Sequence, residues 1–74
     1  MREKILEILG KIKGGVDFSD CTNIIDGGYL ASFDILRLVN MLGDEFDVDI
    51  TASELIPKNF NSVDAMVNMI EELE

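Results

Sequence analysis

The chain has 74 residues, of which 15 are acidic and 6 are basic, so its formal net charge is −9. This length predicts one domain, residues 1–74, that buries only about 60% of the surface its unfolded chain exposes. The charge disfavours nucleic acid and anionic membranes as partners, because both would repel it, and it suits either basic protein surfaces or simple solubility.

The first predicted element is an amphipathic helix over Met1–Lys13. Its apolar residues recur at helical spacing, namely Ile5, Ile8, Leu9 and Ile12. Gly14-Gly15 predicts the end of this helix through a left-handed cap.

Residues 14–31 form a connection that is long for so small a domain. It is not purely polar: Val16, Phe18, Ile24, Ile25, Tyr29 and Leu30 are scattered along it. We therefore expect a loop that packs on the helices and completes the core, with one short helical turn near Asp17–Asn23.

A second helix is predicted over Ser32–Phe46. Its inward stripe consists of Ile35, Leu38, Val39, Leu42 and Phe46. Phe33, Leu36 and Asn40 fall on another side of this helix. Gly43 is expected to weaken it by about 1 kcal/mol relative to alanine.

Two further helices follow the link Asp47–Ile50. Thr51–Glu54 has the pattern of a capping box, and Pro57 is expected to end a very short third helix. Ser62 is expected to cap a last helix. The apolar face of that helix comprises Val63, Met66, Val67, Ile70 and Leu73. The chain is thus predicted to be all-α, a small bundle of three main helices plus one short helix.

The residue types argue against an enzyme, because the chain has no histidine and a single cysteine, Cys21. Asp47–Thr51 resembles the start of a calcium loop, but Ala52 stands where the sharp turn needs glycine and Lys58 where a bidentate glutamate belongs. We therefore expect no metal site. No apolar run approaches the ~20 residues of a membrane span and no signal-peptide pattern is present, so we expect a cytoplasmic protein. The charge favours a monomer.

Ser32 admits two interpretations. Its hydroxyl can cap the second helix by accepting from the amide of Asp34 or Ile35, which is worth about 1 kcal/mol. Alternatively, a helix N-terminus suits a phosphate ester, because free amides and the helix dipole favour an anion. Phe33 and Leu36 beside it form an apolar patch ringed by Asp34, Asp44 and Glu45, a composition typical of a docking surface.

The stretch DGGYLASFDILRLVNMLGDEFDVDI, residues 26–50, resembles the central segment of acyl carrier proteins. It is closest to the small stand-alone carriers of the peptidyl and D-alanyl type, where a D-S-F run is frequent. The amphipathic first helix, the long loop and the N-F-N-S-V-D-A-M entry into the last helix, residues 59–66, also fit. The resemblance covers nearly the whole chain and implies the acyl-carrier-protein-like bundle.

The resemblance implies that Ser32 receives a 4′-phosphopantetheine arm from coenzyme A through a phosphopantetheinyl transferase. The arm's thiol then holds an acyl or aminoacyl group as a thioester and presents it to a loading enzyme and to downstream acyl-transfer enzymes. The carrier itself would perform no chemistry. The family normally has aspartate before this serine, where Ala31 stands here. This departure leaves open an alternative, an unmodified carrier-like module that only binds proteins.

By position in the family, Phe33, Leu36, Arg37 and Asn40 would face partner enzymes, with Asp34 offering a carboxylate near Ser32. An acidic recognition edge would comprise Asp44, Glu45, Asp49 and Glu54, which are otherwise a solvated face. Ile56 would contact partners and, on its inner side, line an acyl-holding cleft with Val39 and Leu42. The simpler interpretation of these three cleft residues is plain core.

Overall fold

The computed structural model describes residues 1–74, and every regular element in it is helical. The elements in chain order are α1 (Arg2–Ile12), α2 (Ser32–Phe46), a 3₁₀ turn (Ala52–Glu54), α3 (Pro57–Phe60) and α4 (Val63–Leu73). The prediction of an all-α bundle with three main helices and one short helix is confirmed. None of the helices has both the length and the apolar character needed to cross a membrane.

Thirteen apolar side chains form one buried cluster that contains no polar or charged side chain. α1 packs against α2 and α4, while α3 packs against α4. The helices supply ten of these residues, namely Ile5, Ile8, Leu9, Leu38, Leu42, Phe60, Val63, Met66, Met69 and Ile70. The other predicted inward residues of α2, including Ile35, Val39 and Phe46, are only half-buried against this cluster.

The connection between α1 and α2 completes the core, as its apolar residues predicted. Phe18, Ile24 and Leu30 are all buried in the cluster. The predicted helical turn near Asp17–Asn23 is wrong. There the Asp17 carboxylate accepts from the Ser19 amide at 3.0 Å and from the Ser19 hydroxyl at 2.6 Å, and such local bonds compete with helix formation. The same bonds hold the pKa of Asp17 below its usual range.

The long helices end as local chemistry requires. The cap residue of α1, Lys13, has extended backbone at φ −138°, so the predicted left-handed cap does not form there. The left-handed residue is Gly15, at φ +82°, a conformation that glycine adopts without strain. At the end of α2, Asp47 adopts φ +53° and the Val48 amide donates to the Gly43 carbonyl at 3.2 Å. A Cβ on Gly43 would lie 3.1 Å from the Val48 carbonyl oxygen. Close packing of this turn therefore explains why glycine occupies position 43, although glycine lowers the helix propensity of α2.

Pro57 begins a helix and does not end one. It is the first residue of α3, where its fixed φ fits the helix and its missing N–H costs nothing. The predicted capping box is present at Thr51–Glu54, but it begins the 3₁₀ turn and not α3. There the Glu54 carboxylate accepts from the Thr51 amide at 3.0 Å. Ser62 caps α4 as predicted, accepting from the Ala65 amide at 3.0 Å.

Candidate functional site

Ser32 is the first residue of α2 and is exposed to solvent. The prediction that Ser32 caps this helix is wrong, because the N-cap is Ala31, with extended backbone at φ −84°, ψ 172°. The Ala31 carbonyl already accepts from the Ile35 amide at 3.1 Å, so helical hydrogen bonding begins one residue earlier than predicted. Ser32 is therefore not the cap of this helix, and its side chain is exposed in the first turn.

The start of α2 has only half of a capping box. The Asp34 carboxylate accepts from the Ala31 amide at 3.1 Å, but alanine has no oxygen with which to return the bond to the first-turn amides. Those amides therefore have no side-chain acceptor from the N-cap residue. Open amides at a helix N-terminus attract anions, and a phosphate ester on the neighbouring hydroxyl fits such a position.

The loop leading to Ser32 is held in place by a residue from the other end of the chain. The Asn61 side-chain oxygen accepts from the amides of Ile25 and Asp26, both at 3.0 Å, and its Nδ2 donates to the Asp26 carboxylate at 3.0 Å. The Asn61 carbonyl also accepts from the Ile24 amide at 2.9 Å. The junction of α3 and α4 thus fixes the segment that positions Ser32.

This segment then makes a tight turn through two glycines. A Cβ on Gly27 would lie 2.7 Å from the Asn23 carbonyl oxygen, and Gly28 has φ +75°. Tyr29 follows, and its ring meets that of Phe18 edge to face, with centroids 6.0 Å apart. The turn therefore depends on glycine at position 27 for space and at position 28 for conformation.

Sequence reasoning missed Asn61. The only signal was its place in a polar stretch before the Ser62 cap, which predicts a loop but names no partner. Its contacts to Ile25 and Asp26 span 36 and 35 residues of chain.

Four of the predicted partner-facing residues share one exposed face of α2. We call this the α2 face, and it consists of Phe33, Leu36, Arg37 and Asn40. Phe33 is 80% exposed and Leu36 is 54% exposed, which is unusual for side chains of this size. The residues recur at three- and four-residue steps, so they form a continuous strip along the helix.

The predicted acidic residues do not all behave alike. Asp44 and Glu45 are exposed near the end of α2, and Asp49 is exposed in the following link. Glu54, in contrast, accepts hydrogen bonds from the hydroxyl and the amide of Thr51. The hydroxyl bond in particular holds the pKa of Glu54 below its usual range, so this carboxylate is engaged within its own turn.

An apolar cleft of about 220 Å³ lies between α2 and α3. Its walls are Ile25, Ile35, Leu55, Ile56, Pro57 and Phe60. Ile56 lines it, whereas Val39 and Leu42 do not. For Leu42 the simpler interpretation, plain core, is confirmed. Leu42 is fully buried in the core, and Val39 borders a different, more polar groove beside Asp47 and Asp49.

The lone cysteine and the acidic residues form no metal-binding cluster. Cys21 is a half-buried free thiol whose Sγ contacts the Asn23 side-chain oxygen at 3.2 Å. No three His, Cys, Asp or Glu side chains are grouped so as to hold a metal ion. The features that distinguish this protein thus lie around Ser32, the α2 face and the apolar cleft.

Ala31→Asp is expected to raise the free energy of unfolding by about 1 kcal/mol, because it completes the capping box of α2. For a domain of this size the melting temperature should rise by roughly 4–8 °C. Thermal unfolding followed by circular dichroism would measure this. Ala31→Asn supplies a capping oxygen without charge and should stabilise similarly. Lower stability in both variants would contradict the placement of the N-cap at residue 31.

Comparisons of the chain with protein-family models, with curated proteins and with solved structures gave no match.

Proposed function

We propose that this protein is a carrier similar to acyl carrier proteins, with 4′-phosphopantetheine attached to Ser32. The observation that carries the proposal is the Ser32 hydroxyl itself, which is exposed at the start of a 15-residue helix and takes no part in capping it. A serine that only stabilised α2 would stand one residue earlier and use its oxygen as the cap.

The surroundings of Ser32 fit the group. The uncapped first-turn amides and the positive end of the α2 dipole suit the charge of a phosphodiester. Ile35, one turn beyond Ser32, forms a wall of the apolar cleft, which offers space for an apolar part of what is carried. When bound, the group would supply a thiol that holds an acyl or aminoacyl cargo as a thioester.

The chain's own residues position Ser32 and leave chemistry to partners. The nearest carboxylate along α2, Asp34, accepts from the Ala31 amide and forms no hydrogen bond with the Ser32 hydroxyl. We therefore expect a phosphopantetheinyl transferase to supply the base when it modifies Ser32. Loading and downstream acyl-transfer enzymes would likewise supply the catalytic groups that act on the cargo. We therefore infer that the protein is not itself an enzyme.

The proposal also includes a monomeric protein that acts in the cytoplasm. The net charge of −9 opposes association of two copies. A lone free cysteine suits a reducing compartment, where structural disulfides are rare.

Intact-mass measurement tests the proposal directly. Incubation with coenzyme A and a broad-specificity phosphopantetheinyl transferase should add the mass of one phosphopantetheine group. Ser32→Ala should gain nothing, whereas Ser53→Ala, which alters another exposed serine, should gain the group like the original chain. If folded protein gains no mass with several transferases, the carrier proposal fails.

Ala31 favours a second candidate, an unmodified module that only binds other proteins. Position 31 is exposed beside Ser32 and lacks the carboxylate that the carrier family normally presents to its transferase. The two capping variants separate the candidates. Modification of Ala31→Asp, but not of Ala31→Asn or the original chain, would show that the missing carboxylate blocks loading and would support the module.

A further inference from the structure

The α2 face differs in charge from the rest of the molecule. The chain as a whole has a net charge of −9. Between Ser32 and Gly43, however, α2 has one anion, Asp34, and one cation, Arg37, so its first three turns are electrically neutral. Arg37 is also the only basic residue between Lys13 and Lys58. A partner that approaches Phe33 and Leu36 therefore meets a locally neutral surface that contains one cation, although the whole chain is strongly negative.

Arg37 is exposed and has no carboxylate partner within the molecule. The two ion pairs of the structure use other cations: Arg2 pairs with Asp64, and Lys4 pairs with Glu7. The guanidinium has several N–H donors in a rigid plane that suits carboxylate oxygens. It stands one turn after Phe33, and so its donors border the most exposed aromatic side chain of the protein.

The carboxylate closest to Arg37 along α2, Asp34, accepts from the Ala31 amide and forms no ion pair with the guanidinium. Asp44 lies seven residues beyond Arg37, which corresponds to about 10 Å along a helix. This exceeds the Debye length of about 8 Å at physiological salt, so Asp44 weakens the attraction of Arg37 for an anion only slightly.

We propose that the α2 face docks a partner protein whose contact surface is apolar and includes a carboxylate that pairs with Arg37. The apolar part would cover Phe33 and Leu36, and the carboxylate would accept from the guanidinium at their border. A second copy of this chain is a poorer occupant, because it would bring a net charge of −9 against another −9. The inference rests on the proposed function for a partner at this face and adds the chemistry of that partner's surface; it does not require that Ser32 be modified.

Two synthetic helical peptides with the same leucine and phenylalanine stripe, one bordered by glutamate and the other by lysine, serve as probes. Each is titrated into isotope-labelled protein at about 0.15 M salt, and amide chemical shifts are followed by NMR. The glutamate peptide should shift amides of residues 32–40 and bind there more tightly than the lysine peptide. Tighter binding of the lysine peptide at these residues, or no shift there with either peptide, overturns the proposal.

Variants assign the binding to Arg37. Arg37→Gln should weaken the glutamate peptide by roughly 2- to 5-fold, and Arg37→Glu by a further factor of about 2 to 5. Lys13→Gln, an equal loss of charge on another element, should change its affinity less than 2-fold, and Phe33→Ala should weaken both peptides. Equal effects of the Arg37 and Lys13 changes would contradict the proposal.

Two further measurements separate partner docking from self-association and from the carrier function. If the shifts at Phe33 and Leu36 appear on raising the protein concentration alone, a second copy covers this face and the proposal fails. The peptide titration uses the unmodified chain, whereas the mass measurement reports only on Ser32. A chain that gains the phosphopantetheine mass but does not bind the glutamate peptide would support the carrier function and contradict this inference. A chain that binds the glutamate peptide but gains no mass would support this inference and contradict the carrier function.

Discussion

Phe18→Ala is expected to leave a large fraction of the chain unfolded at 25 °C. Phe18 lies in the loop between α1 and α2, yet only 2% of its surface is exposed, and it belongs to the single buried cluster. Truncating a buried phenylalanine to alanine typically costs 3–5 kcal/mol, that is, about 4 kcal/mol. A core of this size rarely supplies more than about 3–5 kcal/mol, so the substitution removes nearly all of the stability.

Urea denaturation followed by circular dichroism measures this effect, and Phe33→Ala is the matched control. Phe33 undergoes the same chemical change but is 80% exposed, so its free energy of unfolding should change by less than about 0.5 kcal/mol. Phe18→Leu keeps an apolar side chain in the core and should retain a cooperative transition. Equal denaturation midpoints for Phe18→Ala and Phe33→Ala would mean that the loop does not belong to the core.

The main helices were predictable because periodic burial is a local signal. The boundaries of α2, Ser32–Phe46, agree with the prediction, and α1 and α4 lie within a residue or two of theirs. The apolar residues scattered through residues 14–31 also predicted correctly that this loop joins the core. Side chains such as Phe18 and Ile24 can leave water only if the loop packs on the helices. Hydrophobic pattern therefore determined both the helices and the role of the connection.

The exact residues at which helices begin and end could not be predicted where they depend on the backbone conformation of the preceding segment. Ser32 has the right residue type for a cap, but the chain enters α2 one residue earlier, at Ala31. Pro57 is equally compatible with ending one helix and beginning another, and only the conformation of Ile56 and the residues before it decides the outcome. In both cases the residue type is compatible with two placements, and the sequence pattern alone does not choose between them.

The candidate site was predictable on α2 and not across elements. Helical spacing within one segment placed Phe33, Leu36 and Asn40 outside the inward stripe of α2, and the family resemblance added Arg37; all four are exposed. The apolar cleft instead joins Ile25 of the loop, Ile35 of α2 and Ile56 before α3. Val39 and Leu42 lie outside it. Spacing along one helix could not show this, because it does not reveal which neighbouring segment leaves a gap.

Asn61→Asp is expected to destabilise the protein by about 2 kcal/mol at pH 7. The substitution keeps the oxygen that accepts from the Ile25 and Asp26 amides, but it replaces the Nδ2 donor, 3.0 Å from the Asp26 carboxylate, with a second negative oxygen. Asn68→Asp, at an exposed position on α4, introduces the same charge without this contact. Repulsion from its like-charge neighbours on the helix, Asp64, Glu71 and Glu72, should bring its cost to at most about 1 kcal/mol.

The destabilisation by Asn61→Asp should depend on pH in a known direction. The Asp26 carboxylate raises the pKa of the new carboxyl group in the folded chain, while the Ile25 and Asp26 amides lower it. We expect the repulsion between the two carboxylates to dominate, so that the folded pKa lies above the unfolded value of about 3.9. The folded state then binds its proton more tightly, so the penalty is fully present above the folded pKa and shrinks as pH falls toward 4. At low pH the protonated group can also donate to Asp26, as the amide does in the original chain.

Urea denaturation of the Asn61→Asp, Asn68→Asp and original chains at pH 7 and pH 4 checks this by difference, which cancels the effect of acid on the other carboxylates. Hydrogen exchange supplies a local measurement: at pH 7 the amides of Ile24, Ile25 and Asp26 should exchange faster in Asn61→Asp than in Asn68→Asp, because the loop before Ser32 is released. A penalty that stays constant between the two pH values, or exchange that is unchanged at these three amides, would show that the Asn61 side chain does not hold the loop that positions Ser32.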